Sequence, residues 1–187
     1  MTVKRYKDER TPRYLQHRIA DIRGGVAVKT SELGGDYLAE GAVLTAPDAD
    51  GLCHVVKVAV AVADAAATDK TIKVAKFHNF KVGDFVTPAP AGKAYAVTAV
   101  DASNKEYDII TVGTAIGAVA KGACIVEAKA ESASASELKY EPKAINGTGK
   151  TFDPKGNLDT DAWLVAVTKG LTLPSFVSEK LTGVINY

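Results

Sequence analysis

The chain has 187 residues, of which 47% are hydrophobic and 24% are charged, and its formal net charge is +1. This length and apolar content suit one globular domain or two small ones, and they exclude a disordered chain. The small net charge excludes a general electrostatic attraction to nucleic acid or to an acidic membrane. No apolar stretch approaches the roughly 20 residues that a membrane-spanning helix needs, and the first twenty residues are too charged for a signal peptide.

Residues 1–25 are predicted to form a basic arm and a short helix. Residues 1–23 hold seven Lys or Arg against three Asp or Glu, a local charge of +4, so the whole-chain charge of +1 less this +4 leaves −3 for the rest. A helix of about a dozen residues is marginal in water, so its apolar stripe must pack on the protein or on a neighbour. The helical signals are a cap at Thr11, Pro12 in the first turn, Leu15, Ile19 and Ile22 at helical spacing, and Gly24-Gly25 at the end.

Residues 26–128 have the pattern of a β domain, in which short apolar runs are separated by turn residues about every ten positions. Residues 94–100 and 107–112 are predicted to form a hairpin with its turn at 101–105. The predicted fold class is therefore mainly β, a small β-barrel or sandwich with a short helix near each end. One strand face is predicted to be strongly apolar because valine recurs at every second position, at Val56, Val58, Val60 and Val62.

Residues 129–157 are predicted to be a linker or long loop, because they combine the low-complexity run 130–136 with several Gly and Pro residues. Residues 158–187 are predicted to form a C-terminal strand and a short helix. The strand signal is an alternation that places Trp163, Val165 and Val167 on one face. The helix signal is the i, i+4, i+7 spacing of Val177, Leu181 and Val184.

The side chains that carry chemistry do not form a recognisable catalytic or ligand-binding pattern, so the sequence predicts no cofactor and no metal site. The three histidines, His17, His54 and His78, lack the spacing to partners that a metal centre or a catalytic triad requires, and are predicted to be surface or structural residues. Cys53 and Cys124 lie in separate apolar runs and are predicted to be buried thiols.

One segment, Gly147-Thr148-Gly149-Lys150-Thr151, resembles the end of a phosphate-binding loop. Such a loop needs a glycine where Ala144 stands and a helix afterwards, whereas Phe152-Asp153-Pro154 favours a turn. Asp159 and Asp161 similarly lack the glycine and the distal glutamate of a calcium-binding loop. Neither segment is predicted to bind a ligand.

Several short stretches from residue 81 onwards share one further feature, a likeness to a known family. They are Lys81-Val82-Gly83-Asp84, Tyr95-Ala96-Val97-Thr98-Ala99-Val100-Asp101, Tyr107-Asp108-Ile109-Ile110-Thr111-Val112, Gly122-Ala123, Trp163-Leu164-Val165-Ala166-Val167, Gly170, Leu173-Pro174 and Ile185-Asn186-Tyr187. These stretches resemble β modules of bacteriophage head-fibre and capsid-decoration proteins, and the likeness covers about residues 41–187. It implies a protein that catalyses no reaction and attaches to the outside of an icosahedral head, commonly as an oligomer.

The resulting hypothesis is a virion protein, made in a bacterial host cytoplasm and placed on the capsid exterior. Its partners would be the major capsid protein and further copies of itself, three by analogy with decoration proteins, with no nucleic-acid or membrane partner. The candidate capsid-binding residues are Lys4, Arg5, Lys7, Arg10, Arg13 and Tyr14. The candidate oligomer-interface residues are Leu15, Ile19, Trp163, Phe176, Leu181 and Tyr187.

Three other functions stay open at this point. A host-surface or carbohydrate-binding module would present Trp163, Tyr95 and Tyr107 as exposed platforms. A nucleic-acid-binding protein would use the basic arm for phosphate contacts and its tyrosines for stacking. An enzyme would need His54 or His78 beside a carboxylate in a pocket.

Overall fold

The computed structural model describes residues 11–187, and this part of the chain is mainly β, as predicted. It also holds a single turn of α-helix, α1 (Ser175–Ser178), and a 3-10 turn at Thr30–Glu32. The strands are β1 (Leu15–Asp21), β2 (Val26–Lys29), β3 (Tyr37–Leu38), β4 (Val43–Leu44), β5 (Leu52–Cys53), β6 (Val55–Val56), β7 (Val58–Val60), β8 (Thr71–Ala75), β9 (Phe85–Thr87), β10 (Tyr95–Asp101), β11 (Tyr107–Val112), β12 (Cys124–Ala128), β13 (Ala144–Asn146), β14 (Lys150–Thr151), β15 (Asn157–Thr160), β16 (Ala162–Thr168) and β17 (Val184–Asn186).

The first sheet contains strands from both ends of the described chain. Its order is β1-β16-β13-β4-β6, with antiparallel pairing throughout, and β17 pairs in parallel with β16. The long strand β16 is bordered by β1 along one edge, and by β13 and then β17 along the other. There are two smaller ladders, β14-β3 and β15-β2-β5. Their strands are neighbours, along the chain, of strands of the first sheet.

The second sheet, in the order β7-β12-β9-β10-β11-β8, is antiparallel and surrounds the largest apolar core. An isolated bridge between Ala61 and Val74 joins its two ends, but no continuous ladder closes residues 11–187 into a barrel. Burial alternates along β11, as expected for a strand with one face on a core. A third cluster contains Val126 of this sheet beside Val43 and Ala166 of the first, so the two sheets pack together.

The predicted N-terminal helix is wrong, because Leu15–Asp21 forms strand β1 and pairs with β16. Leu15 is half-buried while Ile19 is 62% exposed, so the two residues do not share a buried helical stripe. Pairing with β16 supplies hydrogen bonds and packing that a short isolated helix would lack.

The predicted C-terminal helix is correct only for the single turn Ser175–Ser178. Val184, which the spacing assigned to the helix, instead begins strand β17 and pairs with Ala166. Gly183 permits this return, since a Cβ at that position would lie 2.2 Å from the backbone oxygen of Leu164. Close approach of two backbones therefore ends the helical pattern.

The predicted linker at 129–157 contains a strand at the centre of the first sheet. Ala144, Ile145 and Asn146 are all fully buried between β4 and β16. Three residues are too few to show an alternating pattern among the Gly and Pro residues around them. The sequence therefore predicts a loop where the structure has this central strand.

The apolar valine face predicted for residues 56–62 is correct in part, since Val56 is 3% exposed and Val58 packs against the third cluster. Val60 is half-buried, and the opposite face is more fully buried, because Ala59 and Ala61 are each 2% exposed and line the largest core. The hairpin prediction is confirmed, since β10 and β11 pair antiparallel, and both cysteines are buried and unpaired as predicted.

Candidate functional site

An exposed apolar surface lies on the two strands that flank β16 near the ends of the described chain. Ile19 in β1 is 62% exposed, Ile185 in β17 is 64% exposed, and Tyr187 just after β17 is 66% exposed. Val167 of β16 pairs with His17 on one side and with Ile185 on the other, which brings the two outer strands within about 10 Å of each other. We call Ile19, Ile185 and Tyr187 the terminal-strand surface.

Strand β1 forms the outer edge of the first sheet but is irregular. Its register on β16 shifts between Leu15 and His17 and again between Arg18 and Ala20, which leaves Gln16 and Ile19 without a direct partner. Bulges of this kind discourage addition of a further strand at an edge. Contacts with a partner at this edge are therefore expected to be made by side chains.

Trp163 makes polar contacts beside the terminal-strand surface. Its Nε1 donates a 2.7 Å hydrogen bond to Asp161 Oδ2, and the Arg18 guanidinium lies 5.6 Å from the ring centroid. Arg18 also donates to the backbone oxygen of Gly147 at 2.7 Å. A Cβ at Gly147 would lie 2.1 Å from Trp163 Nε1, so the Gly-Thr-Gly segment gives the ring space.

The same segment has no phosphate-binding geometry. Lys150 and Thr151 form strand β14 against Tyr37 and Leu38, where a phosphate-binding loop would begin a helix, and Lys150 Nζ donates to the backbone oxygen of Asp159 at 2.9 Å.

The predicted interface residues divide by exposure. Ile19 and Tyr187 are exposed, whereas Leu181 is 3% exposed and belongs to the third apolar cluster, so it is not accessible to another subunit. Ile185, which the prediction did not include, is also exposed, and its position next to Tyr187 was the available signal. The remaining three predicted residues, all half-buried against the third cluster, are Leu15, Trp163 and Phe176.

The predicted capsid-binding residues lie mostly beyond the region that can be described. Arg13 is exposed, while Tyr14 is half-buried, and its ring lies against Gly41. The backbone N–H groups of Tyr14 and Leu15 both donate to Glu40 Oε1, at 2.6 and 2.7 Å. The candidates outside the described residues are Lys4, Arg5, Lys7 and Arg10.

His54 lies between two carboxylates and against an aromatic ring. Its Nδ1 is 3.0 Å from Glu32 Oε2, its Nε2 is 3.1 Å from Asp48 Oδ2, and its ring stacks on Tyr140 with centroids 4.4 Å apart. Ionised carboxylates only accept hydrogen bonds, so both ring nitrogens face acceptor groups. The Tyr140 hydroxyl donates to Glu32 Oε2 at 2.6 Å, and Lys29 Nζ lies 3.3 Å from Glu32 Oε1.

This cluster stabilises the ionised form of Glu32. Burial opposes ionisation, but the hydrogen bonds from Tyr140 and His54 outweigh it and lower the pKa of Glu32 from 4.5 to about 2. A carboxyl group whose pKa is lowered by folding stabilises the folded state above its ordinary pKa, and this contribution is lost as the pH falls towards the lowered value.

We expect Glu32→Gln to lower the free energy of unfolding at pH 7 by on the order of 2 kcal/mol, which is less than the full shift because the side chain is partly exposed. The difference from the unsubstituted protein should shrink as the pH falls from about 4.5 to about 2. Urea denaturation at several pH values measures it. Glu106→Gln, in the exposed hairpin turn, is the control, and a pH-independent difference would contradict the assignment.

His78 is buried and flanked by two residues in the left-handed region. Phe77 and Asn79 have positive φ angles of 65° and 58°, a conformation that is costly for Phe but that Asn adopts more readily. The Asn79 amide holds this conformation by donating to the backbone oxygens of Gly34 and Tyr37, each at 3.0 Å. His78 lines two cavities of about 120 and 190 Å³.

The position of His78 next to a carboxylate meets the condition set above for an enzyme, but its hydrogen bonding does not suit a base. Its Nδ1 accepts the backbone N–H of Phe80 at 3.0 Å, and its Nε2 lies 3.2 Å from Asp108 Oδ2 without good hydrogen-bond geometry. Burial lowers the pKa of His78, which favours the neutral ring with its proton on Nε2. The only lone pair of that ring is already used by Phe80.

A third polar cluster lies in the interior, where sequence analysis predicted none. Lys57 is 1% exposed, and its Nζ is 2.5 Å from Asp84 Oδ2 and 3.3 Å from Glu127 Oε1. Lys139 Nζ is 2.8 Å from the same Glu127 oxygen. The available signal was a single charge inside an apolar run, as in Val55-Val56-Lys57-Val58.

The three aromatic side chains that were predicted as exposed platforms of a carbohydrate-binding module are not fully exposed. Trp163, Tyr95 and Tyr107 are all half-buried, and Lys73 Nζ lies 5.2 Å from the Tyr107 ring centroid. Among residues 11–187, no group of three or more His, Cys, Asp or Glu is placed to hold a metal ion. No helix in this range is long and apolar enough to cross a membrane.

Comparison of the chain with protein-family models, with curated proteins and with solved structures finds no match.

Proposed function

We propose that the protein is a non-enzymatic structural component of a virion, which attaches to the shell of major capsid protein as a head-fibre or decoration subunit. It would be made in the bacterial host cytoplasm and reside on the capsid exterior. The resemblance of its short β stretches to head-fibre proteins supports this assignment, and the mainly β fold is compatible with it.

The observation that carries the proposal is the terminal-strand surface. Of the four exposed large hydrophobic side chains in residues 11–187, only Val82 lies outside it. Exposed apolar side chains grouped on neighbouring strands are typical of a surface that binds another protein. We assign this surface to contacts between copies of the chain in a trimer. We assign the basic arm to contacts with the capsid.

The contacts of His54 and His78 favour a structural role for these residues over a catalytic one. A general base needs a lone pair that can reach a substrate proton. The lone pair of His78 is used by Phe80, and both nitrogens of His54 are in contact with carboxylates of the protein, which supports the non-enzymatic assignment.

The oligomer is tested by Ile185→Asp, which places a charge in the terminal-strand surface. We expect the unsubstituted protein to have about three times the 19.6 kDa chain mass by light scattering after size exclusion. The variant should begin to dissociate at a protein concentration about tenfold higher, or more, than the one at which the unsubstituted protein dissociates. The reason is that a buried charge at an interface costs over about 1.4 kcal/mol. Val82→Asp, at a site that is 61% exposed and outside the surface, is the matched control and should leave the mass unchanged.

Attachment is tested by mixing the protein with empty shells of the major capsid protein from the same phage genome and sedimenting the shells. We expect the full chain to co-sediment, and a chain lacking residues 2–10 to bind at least about tenfold more weakly at low salt. The deletion stops at residue 10 because Tyr14 and Leu15 are held by Glu40. A full chain that is monomeric and does not bind shells would refute the proposal.

A further inference from the structure

The buried cluster of Lys57, Asp84 and Glu127 has an arrangement that suits covalent chemistry within the chain. Lys57 immediately precedes β7, Asp84 immediately precedes β9, and Glu127 lies in β12, the strand between them. The three side chains thus project from a strand or from the residue just before a neighbouring strand. Their exposures are 1%, 7% and 2%, so the groups meet away from solvent.

The surroundings of the cluster are apolar on the side of the largest core. The Phe80 ring, which is 2% exposed, lies with its centroid 6.0 Å from Lys57 Nζ. Charges held in such a place lose their hydration, and a buried ion pair is often less stable than neutral groups of similar volume. Conversion of the ammonium and carboxylate to a neutral amide would remove this cost.

We propose that Lys57 and Asp84 condense spontaneously to an isopeptide bond, with Glu127 transferring protons. The Lys57 Nζ–Asp84 Cγ bond forms, one Cγ–O bond of Asp84 breaks, and one water leaves. The three hydrogens of the ammonium group end as one amide hydrogen and two hydrogens of the water, so no external proton, oxidant or activated group is needed. The inference does not depend on the proposed attachment to a capsid.

The structure supplies each group that this reaction requires. Nζ is 2.5 Å from Oδ2, which is bonded to the carbon to be attacked. The backbone N–H of Lys81 donates to the same Oδ2 at 2.9 Å and would stabilise negative charge that develops there.

Glu127 is placed to accept a proton from the Lys57 nitrogen, and we infer that it passes this proton on to the departing oxygen of Asp84. Its Oε1 is 3.3 Å from Lys57 Nζ, while its Oε2 is buried and has no hydrogen-bond partner among the described residues. Burial raises the pKa of Glu127, which suits a group that must hold a proton and then release it. Lys139 contacts Oε1 and fixes the orientation of the carboxyl group.

A second close pair in the same protein provides an internal comparison. Lys76 Nζ is also 2.5 Å from a carboxylate, Asp108 Oδ1, but Lys76 is 25% exposed. The third ionisable group there is His78, whose acceptor nitrogen is occupied by Phe80. This pair retains hydration and lacks a free proton-transfer group, so we expect it to stay unlinked.

Intact mass spectrometry of the denatured full chain tests the proposal. We expect the purified protein to be lighter than its sequence mass by one water, and proteolytic mapping to yield a branched peptide that joins the segment around Lys57 to the segment around Asp84. A folded protein that keeps its full mass after prolonged incubation would overturn the inference.

Three variants assign the roles. Lys57→Met and Asp84→Ala should show the full mass, and Glu127→Gln should show it while remaining folded by circular dichroism. Lys76→Met is the matched control and should still lose one water. Loss of water in Lys57→Met would overturn the assignment of the linked residues, and undiminished loss of water in Glu127→Gln would overturn the role of Glu127.

Discussion

Asn146→Leu is expected to lower the free energy of unfolding by about 4 kcal/mol, because three buried hydrogen bonds would lose their common partner. The Asn146 amide nitrogen donates to the backbone oxygens of Ala39 and Thr148, each at 2.8 Å. Its Oδ1 accepts the hydroxyl of Thr160 at 2.7 Å. The residue is fully buried, so water cannot replace these bonds.

Urea denaturation measures this loss, and Asn157→Leu serves as the control. Asn157 is exposed at the start of β15, where the same substitution should change the free energy of unfolding by no more than about 0.5 kcal/mol. If both substitutions had equal effects, Asn146 would not be the residue that joins β13 to its surroundings.

Gly34→Ala is expected to cost about 3 kcal/mol or more, because the new methyl group would meet backbone atoms. A Cβ on Gly34 would lie 2.2 Å from the carbonyl oxygen of Phe80 and 2.8 Å from its carbon. Gly34 also exchanges hydrogen bonds with Asn79, which has one of the two positive φ angles beside His78. The segment that carries His78 would therefore have to move.

Gly156→Ala is the matched control for this substitution. A Cβ at Gly156 would have no atom within 4 Å, and its φ angle is not in the left-handed region. The free energy of unfolding should therefore stay the same or rise by about 0.5 kcal/mol. Thermal melting followed by circular dichroism distinguishes the two variants, and a Gly34→Ala protein as stable as Gly156→Ala would contradict the close contact.

Sequence information was sufficient where local signals and tertiary contacts agree. The β10–β11 hairpin is an example, because two apolar runs surround a polar turn and the strands are adjacent in the chain. It was insufficient at both ends, where β1 and β17 each pair with the distant strand β16. Helical spacing in a short segment cannot compete with a strand partner that the sequence does not reveal.

The buried faces show a second limit of sequence patterns. In β7 the alanine points into the core and the flanking valines do not, and in β16 Ala162 and Ala166 are fully buried while Val165 is half-buried. Hydrophobicity predicts that one face of a strand is apolar, but where both faces pack, the smaller residue can occupy the tighter side.

The candidate sites required three-dimensional information for a similar reason. Asp84 was visible only as part of a turn, and Lys57 and Glu127 only as charges in apolar runs 70 residues apart. Their meeting depends on β12 lying between β7 and β9, a strand order that neighbouring residues do not specify. The sequence did not identify the carboxylate partners of His54 and His78.

The strand order around Thr168 determines how the molecule would respond to mechanical load. Thr168 pairs with Leu15 at the start of β1 and with Asn186 at the end of β17, and the backbones of Tyr14 and Tyr187 bond to Lys169 and Gly170. Both ends of the described chain therefore emerge at one corner of the first sheet. Tension between the two ends would peel β1 and β17 from β16 one hydrogen bond at a time, while the second sheet would carry none of the force.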